Sequence, residues 1–208
     1  MHNLNILYIK KKLQLLSIIN KNEIEYINQT ENYVQMKSTL ILVSSTDEQT
    51  IKICERIMEF EKNKNDCQIV SIPEAKNIDI SQFQRIIIGA SIRYGKHKDD
   101  LYDFIDSNID QISVKENAFF SVNVVARKPE KNSPLTNPYM KKFLIKTSWK
   151  PNTLAVFAGK IDYPKYNFID KHMIRFIMWI TKGPTDTKNT YEYTDWAKVD
   201  EFATKVIP

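Results

Sequence analysis

Three short stretches place hydroxyl, amide and cationic residues at the ends of apolar runs. Each could hold an anion or a flat ring. The first is "SSTDEQT", residues 44–50. Ser44, Ser45, Thr46 and Thr50 can donate hydroxyl hydrogen bonds, and Asp47, Glu48 and Gln49 open a helical pattern. A hydroxyl-rich loop running into a helix start offers a phosphate unpaired amides and the positive end of a dipole. Plain capping of the helix by Asp47 accounts for the same residues without a ligand. The loop lacks the lysine and glycines of a P-loop.

The second stretch is "GASIRYG", residues 89–95, and its candidate contacts are Ala90, Ser91, Ile92, Arg93, Tyr94 and Gly95. Gly89 and Gly95 admit backbone conformations that strain other residues. Tyr94 can pack on a planar ring, and Arg93 can meet an anion or an electron-rich ring. A strand-end turn with a solvated arginine is the alternative. The third stretch, Ser121, Val122 and Asn123, falls inside the run "AFFSVNVV". Arg127 and Lys128 follow, and open a basic tract continuing through Lys131, Lys141, Lys142 and Lys146. Connections longer than about 12–15 residues are usually functional or disordered. With Tyr139, Phe143 and Trp149, residues 126–150 read as a cationic, aromatic flap facing carboxylates or lipid head groups, or else as a solvated loop. His97, beside the second stretch, is a candidate proton shuttle. No metal-ligand spacing occurs. Cys54 and Cys67 form no CxxC pair and read as reduced thiols.

These stretches need a frame. Short apolar runs at 39–43, 68–72, 85–90, 118–125 and 153–159 read as strands. Helical spacings fall between or after them, at 48–62, 98–109, 136–147 and 167–182. A last helix, capped by Thr194 or Asp195, carries Trp196, Val199, Phe202 and Val206. Strands that are apolar throughout and separated by helices imply a parallel sheet covered on both faces. Ligands bind such sheets beyond the carboxyl ends of the strands, where strand order reverses. The first two stretches lie at strand ends of this kind and the third within the fourth strand. In the helix at 167–182, Ile169, Met173, Phe176, Ile177 and Ile180 form the stripe expected to face the core. A second patch of Ile174, Met178 and Trp179, flanked by Lys165, Lys171, Arg175 and Lys182, suits contact with a membrane interface. Burial of both stripes under residues 126–150 is the alternative.

With 208 residues, 42% of them hydrophobic and 26% charged, the chain suits one globular domain. A formal net charge of +5 and a pI near 9.0 favour anionic partners: nucleic acid, an acidic membrane surface or a small acidic ligand. Ordinary solubility charge gives the same balance. No run of about 18 uncharged apolar residues exists to span a bilayer. Residues 1–35 are rich in Asn, Lys and Ile and lack a clear period. They are expected to be an extension outside a domain that starts at Met36, or upstream translation. A docked helix over residues 5–20 is the alternative.

From Met36 to residue 206 the chain resembles the flavodoxins. Among them it is most similar to the flavodoxin-type, quinone-dependent protoporphyrinogen IX dehydrogenases. The resemblance rests on "IGASIRYG" (88–95), "FFSVNVVARKPEKNSPLTNPYMKKFL" (119–144), "YPKYNFIDKHMIRFIMWITKGPTDT" (163–187) and "YTDWAKVDEFA" (193–203). It implies a flavodoxin-like α/β three-layer sandwich, with a five-stranded parallel sheet in the order 2-1-3-4-5 known for flavodoxin. It implies FMN, with its phosphate at 44–50 and its ring at 90–95 and 121–123, and it suggests Arg127 and Lys128 as contacts to substrate propionates. It implies oxidation of protoporphyrinogen IX in haem biosynthesis, with electrons passed to menaquinone or a similar membrane quinone. The enzyme would then be peripheral, on an anionic membrane surface at the cytoplasmic face, with no nucleic-acid partner. Homo-oligomerisation and the general base stay open. An electron-carrier flavodoxin and a nicotinamide-dependent quinone reductase are the rival readings; the basic pI argues against the carrier. At Glu48 the family's phosphate loop usually has glycine, so the carboxylate must turn away from an incoming phosphate.

Overall fold

The computed structural model describes residues 37–45, 48–63 and 66–207. The expected extension at 1–35 lies outside them. Five parallel strands form one sheet: β1 (Lys37–Ser44), β2 (Cys67–Ser71), β3 (Phe83–Ser91), β4 (Glu116–Val122) and β5 (Thr153–Phe157). Their order is β2-β1-β3-β4-β5, as expected. The helices are α1 (Glu48–Met58), α2 (Asp99–Ser113), α3 (Pro138–Lys146), α4 (Phe168–Ile180) and α5 (Trp196–Val206).

Strand side chains alternate between faces, and here both faces are covered, so the strands are apolar at nearly every position. Leu40, Leu42, Ile86, Ile88 and Phe119 face one side and pack with Leu101 and Ile105 of α2 and Met140 and Phe143 of α3. Ile41, Val43, Ile87 and Phe120 face the other, against Ile53, Cys54 and Ile57 of α1 and Val199 and Phe202 of α5. Gly89 ends the isoleucine run for a packing reason: a Cβ there would collide with the ring of Phe120. The register pairs Gly89 with Phe120 and with Val43, bringing the tips of β1, β3 and β4 together.

Three features differ from expectation. Residues 126–150 form the crossover that joins the adjacent strands β4 and β5. Phe143 and Trp149, at 0% and 1% exposure, are core and cannot form the aromatic face of a flap. Phe143 stacks on Phe119 with ring centres 3.8 Å apart. The run at 118–125 stops pairing at Val122, where Asn123 caps a 3-10 turn over Val124–Arg127.

The third difference is α4. Its expected core stripe is turned out: Ile169, Phe176, Ile177 and Ile180 are exposed, with Phe168 and Trp179 beside them. The packed residues are Ile174 and Met178, from the patch assigned to a membrane contact. The reason lies in the segment 158–195. It contributes a small two-stranded antiparallel sheet, β6 (Lys160–Asp162) with β7 (Thr190–Glu192), and a cluster built on Ile161, Tyr163 and Met178. That cluster is large enough to cover only one narrow face of the helix.

Candidate functional site

The site is built where β1, β3 and β4 end. Ser45 follows β1, and its Oγ lies 3.1 Å from Thr50 Oγ1 and 3.0 Å from Ser91 Oγ. The first two stretches therefore meet directly, although 46 residues separate the two serines. Lys98 Nζ donates to the Ser45 carbonyl at 3.2 Å. Ser44 Oγ is turned toward Asp100, 3.4 Å away. Thr46 and Asp47 lie outside the described residues. Gln49 is buried and donates to Glu192 Oε1 at 3.0 Å and Thr194 Oγ1 at 2.8 Å, tying the start of α1 to the segment after β7.

Glu48 stands in the first turn of α1 with an exposed side chain. Lys165 Nζ binds both of its carboxylate oxygens, at 2.8 and 2.9 Å. This ammonium holds the Glu48 carboxyl below the usual carboxylate range. The carboxylate expected to turn away from a phosphate is held by a lysine 117 residues away in sequence.

The second loop is held in shape by its own backbone and by α4. Ile92 N–H donates to the Val122 carbonyl at 3.0 Å, and Arg93 and Lys96 exchange backbone hydrogen bonds. Tyr94 and Gly95 both adopt left-handed backbone, with φ of 50° and 79°. Glycine takes that region freely; tyrosine takes it only when held. The holder is Asp170 in the first turn of α4. Its carboxylate, 5% exposed, accepts from the Arg93 guanidinium, from Tyr94 Oη at 2.9 Å and from Asn167 Nδ2 at 3.0 Å.

The third stretch turns its side chains into the fold. Ser121 Oγ lies 3.0 Å from His97 Nε2. Asn123 Oδ1 accepts from Ala126 N–H and from Asn137 Nδ2, both at 3.1 Å, and Asn137 in turn caps α3. What 122–124 present outward is wall. His97 is 2% exposed and packs edge-on against Phe119 and Phe143. Burial, with help from Lys146, pushes its pKa down to about 4, so the ring is neutral at pH 7. Arg127 donates to the Val124 carbonyl at 3.1 Å and to Thr181 Oγ1 at 2.7 Å, clamping the end of α4. Lys128 follows at the surface, half-buried.

Two adjoining cavities result. The larger, about 380 Å³, is lined by Glu48, Gln49, Lys160, Lys165 and Asn167. A narrow crevice of about 90 Å³ runs between Thr50, Ser91, Tyr94, Val122 and Met173. Gln49, Arg93, Lys160, Tyr166 and Asp170 border both. In the larger cavity Lys160, Lys165 and Arg93 are each paired with a carboxylate of the same lining, Asp162, Glu48 and Asp170, so what it offers an anion is the starts of two helices. The other offers apolar and aromatic walls, which suit a flat ring. Sequence reasoning missed the contribution of 158–195: Lys160, Tyr166, Asn167 and Asp170 went unassigned. The available signal was the helix start "YNFID", whose Asn167 caps α4 by accepting from Asp170 N–H at 2.8 Å.

A doubly wound sheet with its polar loops gathered at the β1–β3 tips defines a flavodoxin-class domain, and the family model described as a flavodoxin domain matches residues 40–188. Two curated relatives are each named protoporphyrinogen IX dehydrogenase [quinone]. One, from Leishmania major, is 39% identical over 171 residues, covering 81% of this chain and 74% of that protein. The other, from Escherichia coli K12, is 38% identical over 169 residues, covering 81% and 93%. A solved flavoprotein in complex with FMN from Lactobacillus acidophilus is 20% identical, over 58% of this chain and 93% of that one, at TM-score 0.41. The chain belongs to the flavodoxin-domain family of protoporphyrinogen IX dehydrogenases (quinone), and it is an oxidoreductase.

Proposed function

We propose that this enzyme oxidises protoporphyrinogen IX to protoporphyrin IX, a step of haem biosynthesis, with FMN as cofactor and a membrane quinone such as menaquinone as acceptor. The observation that carries this reading is the pair of adjoining cavities at the strand tips, one polar, charge-paired and bordered by two helix starts, the other walled by apolar and aromatic residues. Clefts of roughly 300–1,000 Å³ serve small-molecule ligands, and the larger cavity, about 380 Å³, falls in that range. The carboxylates that could oppose a phosphate are each met by a cation: Glu48 by Lys165, Asp162 by Lys160 and Asp170 by Arg93. The residues present therefore fit a phosphorylated flavin. Ser45, Thr50, the first amides of α1 and Lys160 would hold its phosphate. The 91–95 loop and residues 122–124 would border one edge of its ring, the rest of which extends beyond the crevice of about 90 Å³. When bound, FMN supplies an acceptor that takes two electrons from a carbon–hydrogen bond and returns them to a quinone.

The chain's own part is positioning. Asp170 fixes Arg93 and Tyr94, so the loop edge keeps one shape as substrate arrives. Val122, Met173 and Ile174 give the crevice an apolar wall. Removing six hydrogens from the porphyrinogen takes three two-electron steps, balanced by three quinones reduced to quinols.

A membrane quinone as acceptor would require the site to meet a lipid surface, and α4 supports that reading. Its outward face carries Phe168, Ile169, Phe176 and Trp179, and Lys165, Lys171, Arg175 and Lys182 flank it. Apolar residues beside cations suit peripheral docking on an anionic membrane, here at the cytoplasmic face. Among the described residues no helix is long and apolar enough to cross a membrane. Met173 and Ile174 of the same helix line the crevice, so docking would bring its mouth to the lipid.

Anaerobic turnover tests the reading. Porphyrin fluorescence should rise on adding protoporphyrinogen IX with a menaquinone analogue, with about three quinols formed per porphyrin. Oxidation of NADH with no reaction of the porphyrinogen would reverse it.

A further inference from the structure

The loop that borders the crevice also borders a smaller cavity. Ile92 lines both. This notch, about 130 Å³, lies between the loop and α3, over buried His97. Clefts for whole small molecules begin near 300 Å³, so the notch excludes a macrocycle and admits one short arm.

Its chemistry is cationic. Lys96, Lys142 and Lys146 meet there, beside Tyr102 and Tyr139. Tyr139, Lys142 and Lys146 recur at three and then four residues along α3, so they share one stripe. Met140 and Phe143, in between, face the core. Lys96 and Lys146 both bind Asp99, at 2.6 and 3.1 Å, and Lys146 Nζ sits 3.8 Å from the centre of the Tyr102 ring. Lys142 has no ion pair among the described residues. His97 beneath is neutral and adds no charge. One carboxylate shared by two lysines, with a third lysine unpaired, leaves the notch ready for another carboxylate.

We propose that this notch is a carboxylate subsite: Lys142 and Lys146, with Lys96, hold one propionate arm of the tetrapyrrole while its ring lies across Tyr94 toward the crevice. The inference rests on the porphyrinogen reading above. It moves propionate recognition from Arg127, whose guanidinium is engaged by Val124 and Thr181, to the opposite border of the loop.

The test is equilibrium binding to the full chain in the presence of FMN. Protoporphyrin IX, a dicarboxylic acid stable in air, and its dimethyl ester are titrated in the same detergent and followed by porphyrin fluorescence. The acid should bind on the order of tenfold more tightly than the ester, because charge-assisted hydrogen bonds are lost on esterification. Lys142→Gln with Lys146→Gln should erase that difference without changing ester affinity. Lys142→Gln alone, which leaves the Asp99 pairs intact, should reduce it. Lys141→Gln, at an exposed position outside the notch lining, is the control. Equal affinities of acid and ester for the wild-type protein, or a preference that survives the double variant, would overturn the subsite alone. Failure of wild-type protein to bind either porphyrin would overturn the substrate reading and the subsite with it.

Discussion

Glu48 sits where a carboxylate does most harm to an anion, in the first turn of the helix whose amides would receive it. Lys165 is the remedy supplied by the fold, and the pair is exposed, so its effect is electrostatic masking rather than stability. This makes a prediction that a double-mutant cycle can settle. Lys165→Ala should weaken FMN affinity roughly 3–10-fold at low salt, with the loss shrinking as salt is raised. In a Glu48→Gly background, which removes the charge that needs masking, the same substitution should have almost no effect. Quenching of flavin fluorescence gives both constants. Equal losses in the two backgrounds would mean that Lys165 grips the phosphate itself and that Glu48 is incidental.

At the scale of elements, α4 is the unusual piece. Most amphipathic helices on a sheet hide their apolar stripe; this one packs Ile174 and Met178 and leaves the broader stripe outside, with Phe168 77% and Trp179 69% exposed. Burying a large apolar side chain is worth about 1.5–3 kcal/mol, and each nearby lysine or arginine adds about 1 kcal/mol on an anionic surface. Trp179→Ser with Ile180→Ser should therefore cut partitioning onto phosphatidylglycerol vesicles by at least tenfold. Replacing that lipid with phosphatidylcholine should weaken binding of the unmutated protein. Sedimentation with vesicles measures both. If the doubly substituted protein pellets as well as the parent, α4 does not face lipid. Neither substitution touches the packed face, so thermal stability should stay the same.

The domain as a whole, among the described residues, is two apolar layers around one sheet, with a polar knot set into one of them: His97, Ser121, Asn123 and Asn137 beneath the tip of β4. The knot has a consequence for acid stability. His97 takes its proton near pH 6.5 when unfolded but only near 4 when folded. Its contribution is thus complete above pH 6.5 and drains away as pH falls toward 4, up to about 3 kcal/mol in all. Paired carboxylates such as Asp99 and Asp200, held low by Lys96 and Arg56, add acid lability of their own. The comparison with His97→Gln isolates the histidine, since glutamine can still bond to Ser121. Urea midpoints measured between pH 7.5 and 4.5 should fall less steeply for the variant. Parallel slopes would show that His97 titrates alike in both states.

Much of this architecture is written locally. Alternating burial on a two-sided sheet demands runs such as "RIIIGA" and "TLILV". Helix starts are marked by capping residues such as Asn137 and Asp195. Polar loops at strand ends mark the crevice in the sequence itself. All of these depend on neighbours within a few residues, which is why the class and the tip loops could be read from the chain, whereas the strand order followed only from the resemblance to flavodoxins. The rest depended on partners far along it. Helical spacing shows that α4 has two faces but not which one finds a neighbour; the small cluster around Ile161 and Tyr163 made that choice. Arg127 reads as free until Thr181, 54 residues on, claims it. Glu48 reads as an obstacle until Lys165 neutralises it. Phe143 and Trp149 read as a flap until the sheet buries them. Local periodicity specifies what a segment can present, and only long-range packing and charge pairing select what it meets.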